Sequence, residues 1–169
     1  MKKLILLIAA VAISFSAKAQ LWAGGGIGFG VITNVDGPST VEFFLAPEVG
    51  YSLSNKLDVA FEFSYGLVHA NKTSNHTVQV GPYVRYTPFQ WGRVSLFGEA
   101  AIHYLYNSGV EVGLNGCNIQ IRPGLLFDIT DRWSLNAKFT FLEYQYLGGS
   151  AFGFRLTTGL SVGFAYKIG

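Results

Sequence analysis

The chain of 169 residues has little charge, one cysteine and one methionine. Charged side chains make up 13% of it, Met1 is the only methionine, and Cys117 is the only cysteine. A single thiol cannot form an intramolecular disulfide or a cysteine-based zinc site, so we expect Cys117 to be a small buried or half-buried side chain. A methionine-rich copper site is excluded in the same way, and we predict neither a metal nor a cofactor.

The N-terminus has the pattern of a secretory signal peptide. Met1–Lys3 is positively charged, Leu4–Phe15 is apolar apart from one serine, and Ala17–Ala19 is an A-x-A cleavage site. The apolar run is shorter than the roughly 20 residues of a transmembrane helix. We therefore expect cleavage after Ala19 during Sec-dependent export, with residues 20–169 forming a single domain.

The mature chain also lacks a positive balance and a long apolar run. Without Lys2, Lys3 and Lys18, nine basic residues stand against ten acidic ones. A nucleic-acid-binding protein would need clustered positive charge, so that class is excluded. Nowhere after the signal do 18 apolar residues follow one another, which excludes a transmembrane helix.

Hydrophobicity instead repeats every second residue. In the segment 57–68, apolar side chains such as Val59, Phe61 and Phe63 alternate with polar or small ones such as Glu62 and Ser64. This period is typical of a strand with one apolar face. It predicts eight strands, over Leu21–Ile32, Phe43–Leu53, Leu57–Val68, Thr77–Thr87, Val94–Tyr106, Cys117–Ile129, Trp133–Phe141 and Phe152–Ile168.

The connections between these strands alternate in length. Short turns are predicted at 54–56, 88–93 and 130–132, and longer loops at 33–42, 69–76, 107–116 and 148–151. Short turns at one end and loops at the other predict an all-β, eight-stranded, antiparallel up-and-down barrel.

Such a barrel can face water or lipid. A soluble barrel, with a lipophilic ligand inside, keeps its apolar face inward, whereas a membrane barrel turns it outward. The charged fraction of 13% is low for a wetted surface, where about 25–35% is usual. Aromatic residues near strand ends suit the two membrane interfaces and favour the transmembrane barrel. These predicted interface aromatics are Trp22, Tyr51, Tyr86, Trp91, Tyr104, Trp133 and Tyr166.

The glycine-rich stretch "WAGGGIGFGVI" does not fit a nucleotide-binding loop, because no G-x-G-x-x-G spacing occurs in it. Gly24, Gly26, Gly28 and Gly30 recur every two residues and would share one strand face. The interior of an eight-stranded barrel is only wide enough for side chains to fill. We predict that this stripe faces the lumen and makes room for long side chains from other strands.

Charged residues also fall on the predicted lumen face. Buried charges are costly unless paired, so we expect them to form a network that fills the lumen. The alternative is a narrow path for ions or small solutes, gated by exchange of ion-pair partners. The predicted lumen charges are Glu48, Glu62, Arg85, Glu99, Arg122, Lys138 and Arg155.

An enzyme is a further alternative. Glu99 and His103 share a strand face and Ser108 follows them, a set that could serve a lipid-modifying reaction. His69 and His76 flank one predicted loop and could bind a metal. Because no motif with a known mechanism accompanies either set, we expect no catalytic activity.

Three segments carry a family resemblance: "MKKLILLIAAVAISFSAKAQ", "LWAGGGIGFGVI" and "LTTGLSVGFAYKIG". With them the chain resembles the outer-membrane β-barrel family of Gram-negative bacteria, in the size class of the OmpA/OmpX-type barrels. Family members typically end in an aromatic residue, where this chain has Ile168-Gly169. No periplasmic peptidoglycan-binding domain is expected after Gly169.

This resemblance implies a monomer in the cell outer membrane, in contact with outer-membrane lipid and lipopolysaccharide and inserted by the barrel-assembly machinery. The short turns would face the periplasm and the loops the outside. Family roles include adhesion, membrane integrity, host-factor binding and, rarely, transport. We expect a structural or interaction role with a largely plugged lumen.

Overall fold

A computed structural model describes residues 20–32, 40–70, 73–108, 114–147 and 160–168. Within these ranges no helix is long and apolar enough to cross a membrane. The described chain is built of nine strands: β1 (Gln20–Ile32), β2 (Thr40–Ser52), β3 (Leu57–Ala70), β4 (Thr73–Trp91), β5 (Val94–Asn107), β6 (Leu114–Asp128), β7 (Trp133–Phe139), β8 (Leu142–Leu147) and β9 (Leu160–Ile168).

These strands close into a ring. Each of β1 to β5 pairs antiparallel with the next strand in sequence, β6 pairs with both β7 and β8, and β9 joins β7 to β1. Because β7 and β8 lie end to end along β6, together they form one barrel strand. The predicted eight-stranded antiparallel barrel is therefore confirmed.

A bulge separates β7 from β8. Gly124 of β6 pairs with Lys138, but Ile121 pairs with Leu142, so the β7–β8 line holds one extra residue. An extra residue inverts the in-and-out alternation beyond it. Pro123, which has no N–H to donate, lies opposite the break. The predicted strand end at Phe141 was wrong, because the strand continues to Leu147 and turns Glu143 into the lumen.

Other predicted connections were also too long. β4 reaches Trp91, after a register shift between Tyr86 and Phe89, so only Gly92 and Arg93 remain in the turn. Gly92 has a positive φ of 59°, which a glycine adopts without strain. The loop predicted at 69–76 is mostly strand, and β2, β5 and β6 take residues from the loops predicted at 33–42 and 107–116. The loop predicted at 148–151 and the strand start at 152–159 lie outside the described residues.

The two faces of the wall have opposite chemistry. Along β5, buried Glu99, Ala101 and His103 alternate with exposed Ala100 and Ile102. The same alternation around the barrel turns large apolar side chains outward and polar ones into the lumen. This is the reverse of a soluble barrel with an apolar interior, and it agrees with the predicted transmembrane arrangement.

Candidate functional site: the lumen charge cluster

Six buried charged residues meet in the middle of the lumen, one from each of six consecutive barrel strands. We call them the lumen charge cluster: Glu48 (β2), Glu62 (β3), Arg85 (β4), Glu99 (β5), Arg122 (β6) and Lys138 (β7). All are less than 9% exposed. They are six of the seven charges predicted from the sequence, and Arg155 lies outside the described residues. Three carboxylates balance three cations, so the cluster carries no net formal charge.

Strand register sets two of the ion pairs within this cluster. Arg85 pairs with Glu99 across β4 and β5, and Glu99 pairs with Arg122 across β5 and β6. Opposite charges at directly paired positions of a sheet attract one another. Arg85 Nε and Nη2 both donate to Glu99 Oε1, at 2.9 and 2.7 Å, and Arg122 Nη2 lies 2.9 Å from Glu99 Oε2. Glu99 is thus held between two guanidinium groups.

Lys138 offsets a like-charge repulsion that the strand register creates. Glu48 and Glu62 are directly paired across β2 and β3, which sets two like charges side by side. From across the lumen, Lys138 Nζ donates to one oxygen of Glu48, Glu62 and Glu99, each at 3.3 Å. Arg122 Nη1 adds bonds of 2.9 and 3.1 Å to the two oxygens of Glu62. The ammonium group of Lys138 therefore contacts all three carboxylates of the cluster.

Aromatic rings surround Arg85. Its guanidinium carbon lies 5.1 Å from the ring centroid of Trp22, 5.6 Å from that of Tyr83 and 4.8 Å from that of Phe97. Tyr83 also accepts a hydrogen bond of 3.2 Å from Arg85 and donates one of 2.8 Å to Glu48. Such cation–π contacts stabilise a guanidinium that is shielded from water. The Arg85 guanidinium is thus buried among three aromatic rings.

Trp22 corrects one prediction. It is 4% exposed and faces the lumen, so it is not an interface aromatic. The even-numbered face of β1 points inward, and a Cβ on Gly50 would lie within 2.5 Å of two Trp22 ring carbons. The other predicted interface aromatics do face outward: Tyr51, Tyr86, Trp91, Tyr104 and Trp133 are exposed, and Tyr166 is half-buried.

The glycine stripe has a smaller role than the sequence predicts. A Cβ on Gly24 would clash with backbone atoms of Phe164 and Ala165 on β9. Gly24 therefore allows the backbones of β1 and β9 to approach closely. A Cβ added at Gly26 or Gly28 would meet ring carbons of Phe44 at ordinary contact distances of 3.5–4.0 Å, and none of the cluster residues is among its nearest neighbours. Gly30 pairs with Glu42 in β1–β2. Glycines elsewhere, at positions 50 and 124, make room for Trp22 and Phe97.

Sequence reasoning missed three lumen residues near the cluster. Tyr83 shares the strand face of Arg85, a signal that was available. His103 was considered only for catalysis, and its Nε2 lies 3.5 Å from Glu62 Oε1. Glu143 is 9% exposed and accepts bonds of 2.7 and 3.1 Å from Asn118 and Gln120. Glu143 could not be found from alternation, because the bulge inverts the alternation just before it.

The residues of the alternative sites are not brought together. His103 is buried in the lumen, Glu99 is engaged by two arginines, and Ser108 is exposed beyond the end of β5, where its N–H donates to the carbonyl of His76. His69 Nδ1 lies 2.9 Å from Ser74 Oγ, and His76 Nδ1 lies 2.6 Å from the Tyr65 hydroxyl. Among the residues described, no three His, Cys, Asp or Glu side chains are grouped to hold a metal ion. Cys117 is half-buried and unbridged, as predicted.

Two cavities approach the cluster from opposite ends. The one at the short-turn end has a volume of about 270 Å³ and reaches Trp22 and Arg85 through a ring of polar side chains that includes Ser52 and Ser134. The other, of about 480 Å³, reaches Glu62, Arg122 and Lys138 past Gln79 and Gln120. No described residue lines both cavities. Residues of the charge cluster line both cavities, Arg85 the first and Glu62, Arg122 and Lys138 the second.

Comparison with solved structures relates this barrel to two others. Neisserial surface protein A (NspA) is 17% identical, with 89% of this chain aligned to 97% of that one at a TM-score of 0.57. The N-terminal β-barrel domain of Pseudomonas aeruginosa OprF is 16% identical, with 89% aligned to 100% at a TM-score of 0.56. No protein-family model and no curated protein sequence matches this chain. At this identity the likeness establishes the fold, that of small eight-stranded outer-membrane barrels.

Proposed function

We propose that the chain is an integral β-barrel protein of the bacterial outer membrane, with a structural or interaction role and a lumen closed by the charge cluster. The observation that carries this proposal is the outer wall. Side chains such as Ile27, Phe61, Ile102 and Phe164 are about half exposed on every side of a closed barrel that holds the six cluster charges inside. Water would leave this apolar surface unfavourably hydrated, whereas lipid would cover it.

The barrel also meets the main backbone requirement of a membrane. Unpaired backbone N–H and C=O groups are costly in hydrocarbon, so only closed sheets and helices cross it. Pairing of β9 with β1 removes the open edges that a flat sheet of these strands would have. Export by the signal at residues 1–19, insertion by the barrel-assembly machinery and contact with lipopolysaccharide are parts of the same proposal.

Heat-modifiability on a gel tests the membrane assignment. The mature chain is refolded with and without detergent micelles and run boiled or unboiled. We expect an unboiled band of different mobility only after refolding with micelles, because the outer wall needs an apolar solvent. A folded, monodisperse protein in plain buffer would overturn the proposal and restore the soluble barrel.

The closed lumen is supported by the packing around the cluster. Between the two cavities, Arg85 packs against the rings of Trp22, Tyr83 and Phe97. Lys138 reaches across the lumen to Glu48 and Glu62. Eight-stranded barrels are in general narrow enough for side chains to fill. We therefore expect no resolved current steps from the refolded protein in a planar bilayer.

A narrow pore is the second candidate, and the two cavities are the observation that favours it. Their volumes of about 270 and 480 Å³ would each hold several water molecules, at about 30 Å³ apiece. Only the side chains of the lumen charge cluster would then have to rearrange for ions to pass. Steady conductance steps from the unmodified protein would replace the closed-lumen proposal with this one, without affecting the membrane assignment.

A further inference from the structure

Each short turn places a basic residue at the same position. Lys56, Arg93 and Arg132 each directly precede the first residue of a strand, in β3, β5 and β7 respectively. All three side chains are exposed. The repetition puts one cation at each of the three hairpins at this end of the barrel.

Backbone hydrogen bonds fix the three residues to equivalent points of the rim. The N–H of Thr87 donates to the carbonyl of Lys56 at 2.8 Å, and that of Asp128 donates to the carbonyl of Arg93 at 2.8 Å. The N–H of Lys167 donates to the carbonyl of Arg132 at 2.9 Å. Each basic residue is thus held against the strand beyond its own hairpin. The three cations therefore all lie at the short-turn end of the barrel, each at the start of a strand.

Outward-facing aromatic rings lie at the same end of the barrel. Phe89 and Trp91, next to Arg93, are stacked with ring centroids 5.6 Å apart. Trp133 lies 4.8 Å from Tyr166, whose hydroxyl accepts a hydrogen bond of 3.4 Å from Arg132 Nη1. Tryptophan and tyrosine favour the headgroup level of a membrane. The basic side chains are therefore set at the depth of lipid phosphates.

The acidic residues of this end are mostly inside the lumen. Asp58 and Asp128 line the smaller cavity, where Lys167 Nζ lies 3.8 Å from Asp128 Oδ1. Among the described residues of the three short turns, Asp131 is the only exposed carboxylate. Among these described turn residues there are therefore three exposed cations and one exposed anion.

We infer that this basic–aromatic rim, formed by Lys56, Arg93 and Arg132 with their neighbouring aromatic rings, binds the headgroups of anionic phospholipids. The inference rests on the proposed membrane function and adds a lipid preference to it. Arginine pairs well with phosphate oxygens. A basic residue near an anionic membrane surface contributes about a fivefold preference, so three of them would give a clear selection for anionic over zwitterionic lipid.

The tryptophans allow a direct test. Trp91 and Trp133 are 62% and 46% exposed on the rim, whereas Trp22 is buried in the lumen and provides a constant background. The mature protein is inserted into vesicles of phosphatidylcholine and phosphatidylglycerol in which one lipid at a time carries brominated chains. We expect brominated phosphatidylglycerol to quench the rim tryptophans more strongly at equal mole fraction. The derived ratio of association constants should be at least fivefold and should fall with added salt.

The matched variants are the triple change Lys56→Gln, Arg93→Gln, Arg132→Gln and the single change Lys167→Gln. The triple variant should bring the ratio close to one. Lys167→Gln removes a cation at the same end but from the lumen side, so it should leave the ratio unchanged. If the triple variant does not insert, Arg132→Gln in a Trp91→Phe background, read from Trp133, gives the same test for one turn.

The outcomes separate the two proposals. Failure to insert into either vesicle contradicts the membrane function itself. Insertion with a ratio near one in the unmodified protein overturns the lipid preference alone. A ratio that survives the triple change, or that is lost with Lys167→Gln, shows that the rim cations do not bind the headgroups and also overturns it.

Discussion

Ile121 and Arg122 are consecutive residues of β6, and they meet opposite surroundings. The Ile121 side chain is 45% exposed on the outer wall, whereas that of Arg122 is 5% exposed and bound to Glu62 and Glu99 in the lumen. The same contrast occurs at other cluster positions, where buried Glu62 follows exposed Phe61 and buried Arg85 follows exposed Val84. At these positions the charged side chains are buried and the large apolar ones are exposed. The effect of a substitution therefore depends first on whether the residue faces the lumen or the outside.

Removing a cation should therefore matter far more inside than outside. Lys138→Met leaves three carboxylates without their shared ammonium group, two of them directly paired across β2 and β3. We expect the free energy of unfolding in micelles to fall by about 3–5 kcal/mol. Urea titration followed by tryptophan fluorescence measures it.

The control is Lys56→Met, the same chemical change at an exposed turn. It should alter the free energy of unfolding by no more than about 0.5 kcal/mol. Equal losses for the two variants would show that the lumen cluster does not hold the barrel together.

An added cation, in contrast to a removed one, should be most costly on the outer wall. Ile121→Arg places a guanidinium on the outer wall, at the level of the charge cluster. In a lipid bilayer this should cost about 2–4 kcal/mol. Unfolding in vesicles measures the loss, with Ile129→Arg, the same change just beyond the end of the same strand, as the control. An unchanged stability for Ile121→Arg would mean that water, not lipid, covers this surface.

A tyrosine hydroxyl offers a subtler comparison. Tyr83→Phe removes a hydrogen bond to Glu48 and one from Arg85, inside the lumen. Because both partners are charged and buried, we expect a loss of about 1.5–3 kcal/mol. Tyr104→Phe removes one exposed bond to Asn115 and should cost about 1 kcal/mol or less. If Tyr104→Phe were the more damaging change, the buried hydrogen bonds of the Tyr83 hydroxyl would not stabilise the barrel.

Glycines give the smallest effects. Gly50→Ala would press a methyl group into the ring of Trp22 and should cost about 1–3 kcal/mol. Around Gly98, on the outer wall, no atom lies within 4 Å of an added Cβ. Gly98→Ala should thus be neutral or stabilise by up to about 1 kcal/mol through the unfolded chain. Thermal unfolding of the two variants side by side measures this difference, and a stable Gly50→Ala protein would mean that the Trp22 ring can move aside.

Much of the fold could be predicted because it follows from a two-residue period. Alternation along β3 or β5 decides which residues share a face, and that decides which charges can meet in a closed barrel. Six of the seven predicted lumen charges do meet there. The low charge content also indicated that the apolar face of the barrel points outward, since a surface with so few charges suits lipid better than water.

The errors have different causes, and only one of them is a break in that period. The bulge between β7 and β8 inverts alternation, and Glu143 was missed for this reason. Trp22 was assigned to the interface by residue type, although its strand face placed it inside. The glycine stripe on β1 was assigned to the charged residues, whereas Phe44 lies beside Gly26 and Gly28. Neither a bulge nor the partner of a glycine can be read from periodicity.

By itself the amino-acid sequence determined the strand pattern, the apolar outer wall and six of the charges turned into the lumen, because side-chain direction in a strand without a bulge follows local parity. Only the tertiary structure decided which charges pair. Lys138 reaches Glu48, 90 residues away, across the lumen, and Arg85 finds its three aromatic rings on three different strands. These contacts depend on the register of every strand pair and on closure of the ring, which no local segment specifies.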